Sequence, residues 1–169
     1  VDSFNVGAVI RVSPIKDIKT MLYSFDIVKK KVPHAKFYLM GPNDEDPDYY
    51  RECLDLLDDL GTKDVFFTGR VKVHDYIGKM DLLVLTSLSE AQPLALMEAM
   101  AAGKPCVSTN VGSVRELFEG SGEDNLGRCG LLAPIMDSEE IAVNIIQLYE
   151  NKQMAIDFGQ IGKKRIEKY

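Results

Sequence analysis

The sequence predicts an α/β fold, a doubly wound parallel sheet with helices on both faces, in one domain over residues 1–169. Short apolar runs alternate with helical patterns along the whole chain. The runs are almost continuously apolar, which is typical of parallel strands that are buried on both faces. A length of 169 residues, 46% of them hydrophobic, is enough for one sizeable core. Ligands of such sheets bind beyond the carboxyl ends of the strands.

The first half of the chain predicts three strands and two long helices. Residues 15–31 carry apolar side chains at helical spacing on one face, and Pro33 ends this helix. Gly61 ends the second helix. The predicted strands are 6–12, 36–40 and 65–68, and the predicted helices are 15–31 and 49–60.

The second half continues the alternation to the end of the chain. Pro93 suits the first turn of a helix, because that position needs no N–H donor, and Gly103 ends the same helix. Asp137 and Glu140 have the spacing of a capping box. The predicted strands are 81–86, 106–109 and 131–134, and the predicted helices are 75–79, 93–102, 137–149 and a last amphipathic one.

The helix 93–102 is apolar on nearly all sides, so we expect it to be buried. Its single charge is Glu98. Helical side chains lean toward the N-terminus, so the carboxylate should point to the helix start, close to Glu90. The N–H groups of Leu94 and Ala95 should be free there, which predicts an anion site at the helix start.

The stretch from Ser89 to Gly103, with Glu90 and Glu98 eight residues apart, resembles the paired-glutamate signature of retaining glycosyltransferase family 4. The likeness continues through residues 104–117. Gln92 and the pair Gly112-Ser113 are most similar to the transferases that build Pel-type exopolysaccharide. Ala91 and Asp17 stand where the family commonly has glycine.

The resemblance implies a Rossmann-like domain, the C-terminal donor-binding half of a GT-B glycosyltransferase. The chain enters its first strand at once, so an N-terminal acceptor-binding domain is expected upstream and is absent from these residues. The implied donor is a nucleotide sugar, with a UDP-hexose as the expected form. The full-length protein should transfer the hexose with retention, and this chain alone should not.

Candidate site residues follow three of the predicted strands. Arg11 offers a planar fork and Lys16 a compact charge, so the two can neutralise a diphosphate without a metal. The resemblance implies this role for them, and it places Glu90 beside the donor sugar and Glu98 on the ribose. It also implies that the nucleotide base lies against the backbone of Val71.

Each of these residues also has a purely structural interpretation. Arg11 and Lys16 could be solvated loop cations, and Glu90 could stabilise a helix start through the helix dipole. Glu98 could cap nearby backbone donors, and the segment around Val71 could be an ordinary turn.

Composition and spacing argue against several other classes of protein. A net charge of −6 disfavours nucleic acid or an anionic membrane as a partner, and no apolar run is long enough to span a bilayer. Three cysteines at positions 53, 106 and 129 fit neither a disulfide framework nor a metal site, so we expect a cytoplasmic protein. Asp46-Pro47-Asp48 has the form of a manganese motif, but it lies in a polar loop. No metal cofactor is therefore expected.

Two other functions stay open from the sequence. One is a binding module of the same ancestry that holds a nucleotide or phosphosugar without transferring anything. The other is a dinucleotide-dependent oxidoreductase, which the fold alone suggests. The oxidoreductase is the weaker alternative, because no GxGxxG motif follows the first strand.

Overall fold

A six-stranded parallel sheet forms the centre of the computed structural model, which describes residues 2–169. The strands lie in the order β3-β2-β1-β4-β5-β6, and every neighbouring pair is parallel. The predicted fold class is therefore confirmed. The strands are β1 (Phe4–Val9), β2 (Ala35–Met40), β3 (Val65–Gly69), β4 (Leu82–Leu85), β5 (Cys106–Thr109) and β6 (Gly130–Ala133).

Helices flank the sheet in two groups. The helices are α1 (Ile18–Lys31), α2 (Pro47–Leu60), α3 (Val73–Ile77), α4 (Leu94–Ala101), α5 (Val114–Glu119), α6 (Ser138–Glu150) and α7 (Lys152–Ile166). Helix α1 packs against α2 and α6, whereas α4 and α5 pack against α7. Within the described residues, none of these helices combines the length and the apolar character that a bilayer crossing needs.

The first helix begins three residues later than the sequence predicts. Pro14–Lys16 forms a short 3-10 turn, and Asp17 follows it in the left-handed conformation with φ 45° and ψ 57°. The Asp17 carboxylate then caps α1, accepting hydrogen bonds from the backbone N–H (3.3 Å) and hydroxyl (2.6 Å) of Thr20. An aspartate tolerates this backbone better than most residues, since its short polar side chain bonds locally.

The prediction that helix 93–102 is buried is wrong for most of its surface. Helix α4 buries only Leu96, Ala99 and Met100, while Leu94 is 62% exposed and Glu98 is also exposed. The helix packs on β4, β5 and α7, so only one face of it has a partner among the described residues. Apolar composition alone did not determine the burial.

The remaining differences are small. Strand β1 begins and ends earlier than predicted, and helix α5 (Val114–Glu119) is absent from the prediction. The predicted cap of α6 is present, because Asp137 accepts a 3.0 Å hydrogen bond from the N–H of Glu140. Gly61 ends α2 in the left-handed conformation, as expected of a C-terminal glycine.

Candidate functional site

The candidate site lies at the carboxyl edge of the sheet, where β1 and β4 are neighbours. Successive strands move to one side from β1 through β2 to β3, and to the other side from β4 through β5 to β6. The loops after β1 and β4 therefore leave the sheet in opposite directions and open a crevice. Parallel α/β sheets bind their ligands at this kind of switch point.

Two of the predicted residues meet in this crevice. The ammonium group of Lys16, after β1, donates a hydrogen bond to the Oε1 atom of Glu90, after β4. The same carboxylate oxygen accepts a 2.8 Å hydrogen bond from the hydroxyl of Ser87. The two charged side chains are only 17% and 12% exposed. Since removing two charges from water is costly, the pair depends on this close contact and on the serine.

Hydroxyl groups at the strand ends hold the two loops together. The Thr86 hydroxyl contacts the backbone oxygens of Lys16 and Asp17 at 3.2 and 3.0 Å. The Thr109 hydroxyl, at the end of β5, donates to the backbone oxygen of Ser87 at 2.8 Å. The sequence reasoning did not identify these residues as site residues. The available signal was a hydroxyl side chain at the end of each of two apolar strands.

Gly112 supports Glu90 from the loop after β5. Its φ is +50°, and a Cβ atom at this position would lie 2.1 Å from the backbone oxygen of Glu90 and 3.1 Å from that of Ala91. No other residue type can make this approach without moving the glutamate backbone. In the sequence, Gly112 entered only through the family resemblance, and its contact with Glu90 was not foreseen.

A cavity of about 320 Å³ lies next to the ion pair, above the ends of β1, β2 and β3. It brings together three of the predicted residues, Arg11, Lys16 and Val71. Most of the wall is apolar, and three cations provide its charge. The lining consists of Val9, Ile10, Arg11, Lys16, Met40, Gly41, Pro42, Arg70, Val71 and Val73.

The loops after β2 and β3 are joined at the floor of the cavity. The Gly41 N–H donates a 3.1 Å hydrogen bond to the backbone oxygen of Gly69. Gly41 also lies so close to β1 that a Cβ atom would be 1.7 Å from the backbone oxygen of Ile10. The close approach requires glycine, and it brings the end of β2 against the backbone that follows β1. Arg70 was not among the predicted site residues.

The three residues predicted on helix α4 do not line this cavity. Leu94 does not have a free N–H, because it donates a 3.0 Å hydrogen bond to the backbone oxygen of Gln92. That part of the prediction is wrong, since a tight turn at Gln92 and Pro93 satisfies the donor. The N–H of Ala95 has no acceptor among residues 2–169. Glu98 is exposed, and its side chain makes no ion pair or hydrogen bond with the residues described.

The Asp46-Pro47-Asp48 segment has a structural role. Asp46 precedes α2 and accepts a 3.0 Å hydrogen bond from the N–H of Tyr49, so it is a helix cap. Among residues 2–169, no group of three His, Cys, Asp or Glu side chains is arranged to hold a metal ion.

Fold and site together define a doubly wound α/β domain that presents cations and one ion-paired glutamate at the switch point of its sheet. Domains of this class bind anionic ligands such as nucleotides beyond their strand ends. Residues 3–151 match the family model of the glycosyl transferases group 1. The chain belongs to this family.

Two relatives show the spread of the family. The chain is 28% identical over 154 residues to N-acetyl-alpha-D-glucosaminyl L-malate synthase of Bacillus anthracis, which covers 90% of the chain and 38% of that protein. It is also 28% identical to poly(ribitol-phosphate) alpha-N-acetylglucosaminyltransferase of Staphylococcus aureus, over 97% of the chain and 32% of that protein. The chain thus spans about a third to two fifths of the length of these relatives.

Solved structures of glycosyltransferases of the GT-B type share the fold. The Anabaena protein Alr3699/HepE, solved in complex with UDP and glucose, superimposes with a TM-score of 0.86 at 25% identity. This match covers 98% of the chain and 44% of HepE. The fold also matches the C-terminal domain of a glycosyl transferase group 1 family protein from Francisella tularensis, with a TM-score of 0.81 at 20% identity, over 85% of that domain. The chain therefore resembles the C-terminal half of a GT-B enzyme.

Proposed function

We propose that this chain is the donor-binding half of a retaining glycosyltransferase that transfers a sugar from a UDP-hexose to a glycan or another acceptor. The observation that carries the proposal is the Lys16–Glu90 ion pair at the switch point, next to the cavity that Arg11 and Lys16 line. The UDP and glucose bound by HepE, a relative by structure and sequence, support the class of donor.

In this proposal, Arg11 and Lys16 bind the diphosphate of the donor. A guanidinium and an ammonium group on one wall can neutralise the charge that develops on a departing nucleotide diphosphate. The apolar wall formed with Val71 suits the face of a nucleotide base, as the family resemblance implies. Helix α4 contributes its unpaired Ala95 N–H and the Glu98 carboxylate, which we assign to the ribose. Leu94 is exposed beside them and offers only a surface contact.

Glu90 is assigned to the donor sugar. Lys16 and Ser87 both bond its Oε1 atom, which leaves Oε2 without a partner among the described residues. The free oxygen can accept a hydrogen bond from a sugar hydroxyl and stabilise positive charge at the anomeric carbon. Lys16 would then contact the leaving phosphate while still orienting the glutamate. The ion pair would thus contact the leaving phosphate through Lys16 and the sugar through Glu90, on the two sides of the bond that breaks.

The rest of the reaction is also part of the proposal. The chain spans 44% of HepE and 38% of the malate-linked relative, and we place the acceptor-binding domain in the remaining length of the full protein. The likeness of Gln92 and Gly112-Ser113 to Pel-type transferases favours exopolysaccharide as the product. Three free, buried cysteines favour a cytoplasmic location, where thiols stay reduced.

The proposal predicts that the chain binds UDP and UDP-hexoses without a metal ion. Isothermal titration with UDP, UDP-glucose and NAD, each in the presence of EDTA, is the test. UDP and UDP-glucose should bind, and NAD should not. Affinity for UDP that disappears with EDTA would show that the metal-free site is wrong. NAD that binds more tightly than UDP would favour an oxidoreductase.

Transfer itself needs a second test. The full-length protein should produce a glycosylated acceptor from the donor, whereas this chain alone should at most hydrolyse the donor slowly. Close positioning of donor and acceptor supplies about 7–11 kcal/mol of the barrier lowering, and the acceptor half provides it. A full-length protein that binds donors but forms no product would instead be a non-catalytic binding module.

A further inference from the structure

Every cation that lines the cavity is paired with a carboxylate that does not line it. Lys16 pairs with Glu90, as described above. Arg70 is held by Asp44, whose two carboxylate oxygens lie 2.8 and 2.9 Å from one guanidinium nitrogen. Glu45, the next residue, pairs with Arg11 as well as with Arg70. An anionic ligand that enters the cavity must therefore compete with carboxylates of the chain itself.

The Glu45 carboxylate lies between the two guanidinium groups. One of its oxygens is 3.9 Å from Arg11, and the other is 3.8 Å from Arg70. Two guanidinium groups that one carboxylate can bridge are close enough for one phosphate to bridge as well. A diphosphate carries more charge than a carboxylate and offers more acceptor oxygens to guanidinium donors. The geometry is therefore that of an anion site, at present filled by a side chain of the protein.

The surrounding backbone holds both arginines in place. Arg11 follows β1 and Arg70 follows β3, and the Gly41–Gly69 hydrogen bond joins the loops after β2 and β3 beneath them. Asp44 and Glu45 belong to the exposed segment between β2 and α2, and their side chains are 65% and 41% exposed. The arginine side chains are also 60% and 62% exposed, but their backbone follows the ends of two strands, whereas the acidic residues lie on a surface loop. Asp44 is clearly ionised, because the Arg70 guanidinium lowers the pKa of its carboxyl group.

The geometry points to Arg70 as a third phosphate-binding cation of the cavity. The carboxylates of Glu45 and Asp44 occupy the Arg70 guanidinium group until the diphosphate of a nucleotide displaces them. The inference rests on the proposed function, because it concerns the same donor site. It adds a binding residue that the family motif does not contain. It also gives the acidic loop a function, which is to compete with a bound anion for the two arginines.

The test is calorimetric titration of the chain with UDP, uridine and inorganic pyrophosphate in EDTA. Arg70→Gln should weaken UDP and pyrophosphate about fivefold, the upper range for an exposed ion pair, and leave uridine unchanged. Arg51→Gln is the matched control, because Arg51 is an exposed arginine of α2 with no ion pair among the described residues. It removes the same charge without touching the cavity.

Glu45→Gln should have the opposite effect and tighten UDP about two- to fivefold, since a competing anion is removed. Glu52→Gln is its control, because Glu52 pairs with Lys19 at 3.5 Å, outside the cavity. In the double variant Arg70→Gln/Glu45→Gln, the gain should be smaller but not absent, because Glu45 also pairs with Arg11. The gain in UDP affinity should also be smaller in 1 M salt, because the Debye length is then about 3 Å and exposed charges are strongly screened.

Several outcomes would overturn the inference. Arg70→Gln that binds UDP and pyrophosphate as tightly as Arg51→Gln would remove Arg70 from the site. An equal loss for uridine would assign Arg70 to the base instead of the phosphates. Glu45→Gln that matches Glu52→Gln would exclude the competing carboxylate. A wild-type chain that binds pyrophosphate but not UDP would contradict the proposed donor. The effect of Arg70→Gln on pyrophosphate binding would still decide whether Arg70 binds phosphate. A chain that binds neither ligand would overturn both proposals.

Discussion

Lys16 and Glu90 are 74 positions apart in the sequence, yet the ammonium group of one bonds the carboxylate of the other at the point where the sheet changes direction. Their positions depend on β1 and β4, which are neighbours in the sheet although two strands separate them in the sequence. The Ser87 hydroxyl completes the arrangement from the same loop as Glu90. This contact can therefore form only when β1 and β4 are neighbours in the sheet.

A double-mutant cycle on this pair should give a large coupling energy. Lys16→Met and Glu90→Gln should each destabilise the chain, because each leaves a mostly buried charge without its partner. The double variant should recover about 1–3 kcal/mol of the summed loss, the upper part of the range for residues in direct contact. Urea unfolding followed by circular dichroism measures all four free energies of unfolding.

The pair Lys19–Glu52 provides the control cycle. Its atoms are 3.5 Å apart, and its side chains are 41% and 59% exposed. Exposed pairs of this kind couple by less than about 1 kcal/mol. A coupling between Lys16 and Glu90 no larger than this would show that the pair is solvated in solution.

A second prediction concerns the backbone contact behind Glu90. Gly112→Ala places a methyl group 2.1 Å from the Glu90 backbone oxygen, so the loop that carries the glutamate must move. Gly122→Ala is the matched control, because Gly122 also has a positive φ, of +90°, but has open space around it. Both variants lose about 1–2 kcal/mol to the left-handed backbone. Gly112→Ala should lose roughly 1–3 kcal/mol more from the steric overlap.

The same two variants test the position of Glu90 in ligand binding. UDP-glucose should bind more weakly to Gly112→Ala than to Gly122→Ala, because the glutamate and its bond to Lys16 are displaced. Titration calorimetry of both variants, after their free energies of unfolding are measured, makes the comparison. Equal stability of the two variants would mean that the loop after β5 moves freely.

The parts of the fold that the sequence predicted correctly depend on local patterns. The apolar runs gave every strand, and Gly61 and Asp137 marked helix ends through their own backbone and side-chain chemistry. The helix start at Ile18 was misplaced because apolar spacing continues through Ile15, while the 3-10 turn depends on Pro14 and the left-handed Asp17. Periodicity alone does not show where a helix begins.

The parts of the site that the sequence missed depend on contacts between distant segments. The sequence singled out Arg11, Lys16 and Glu90 because each lies in a recognisable local motif. Gly112 and Arg70 acquire their positions only when neighbouring strands place their loops together. Their residue types are common in ordinary turns, so no local signal distinguished them. The burial of α4 was predicted wrongly for a related reason, since composition does not say how many sides of a helix are covered.

A third prediction concerns the loop between α5 and β6. Arg165 of α7 is 1% exposed, and its guanidinium group bonds both carboxylate oxygens of Asp124 at 2.8 and 3.0 Å. It also donates to the backbone oxygens of Phe118 and Gly127. The hydrogen bonds that the Asp124 carboxylate accepts from Arg165, and then from the N–H of Leu126, hold its pKa well below its usual range. The Arg165–Asp124 pair therefore holds α7 against the loop between α5 and β6, which contains no helix or strand.

The depressed pKa fixes the sign of the pH dependence. An aspartate with a lowered folded-state pKa stabilises the fold above its unfolded value, near pH 4, and this contribution is lost as the pH falls below it. Asp124→Asn should therefore lower the melting temperature at pH 7, and the difference from wild type should narrow as the pH falls below about 4. Glu119→Gln, in an exposed pair with Arg115, is the control and should change little. A constant difference at every pH would contradict the ionic role.

The last prediction assigns Glu98 to the ribose of the donor. Its side chain is exposed and bonds nothing among the described residues, so Glu98→Gln should leave the free energy of unfolding unchanged. The substitution keeps the shape but removes the charge, and UDP should bind about 1.5–3 kcal/mol more weakly, the range for hydrogen bonds to charged groups. Pyrophosphate, which has no ribose, should bind equally well to both forms. The 2′,3′-dideoxy form of UDP should bind equally well to wild type and variant, because the hydroxyls from which Glu98 would accept hydrogen bonds are absent.

Titration calorimetry with UDP, dideoxy-UDP and pyrophosphate, and with Glu52→Gln as the charge control, makes the comparison. Equal losses for UDP and pyrophosphate would mean that Glu98 acts through the overall charge of the site and does not contact the ribose.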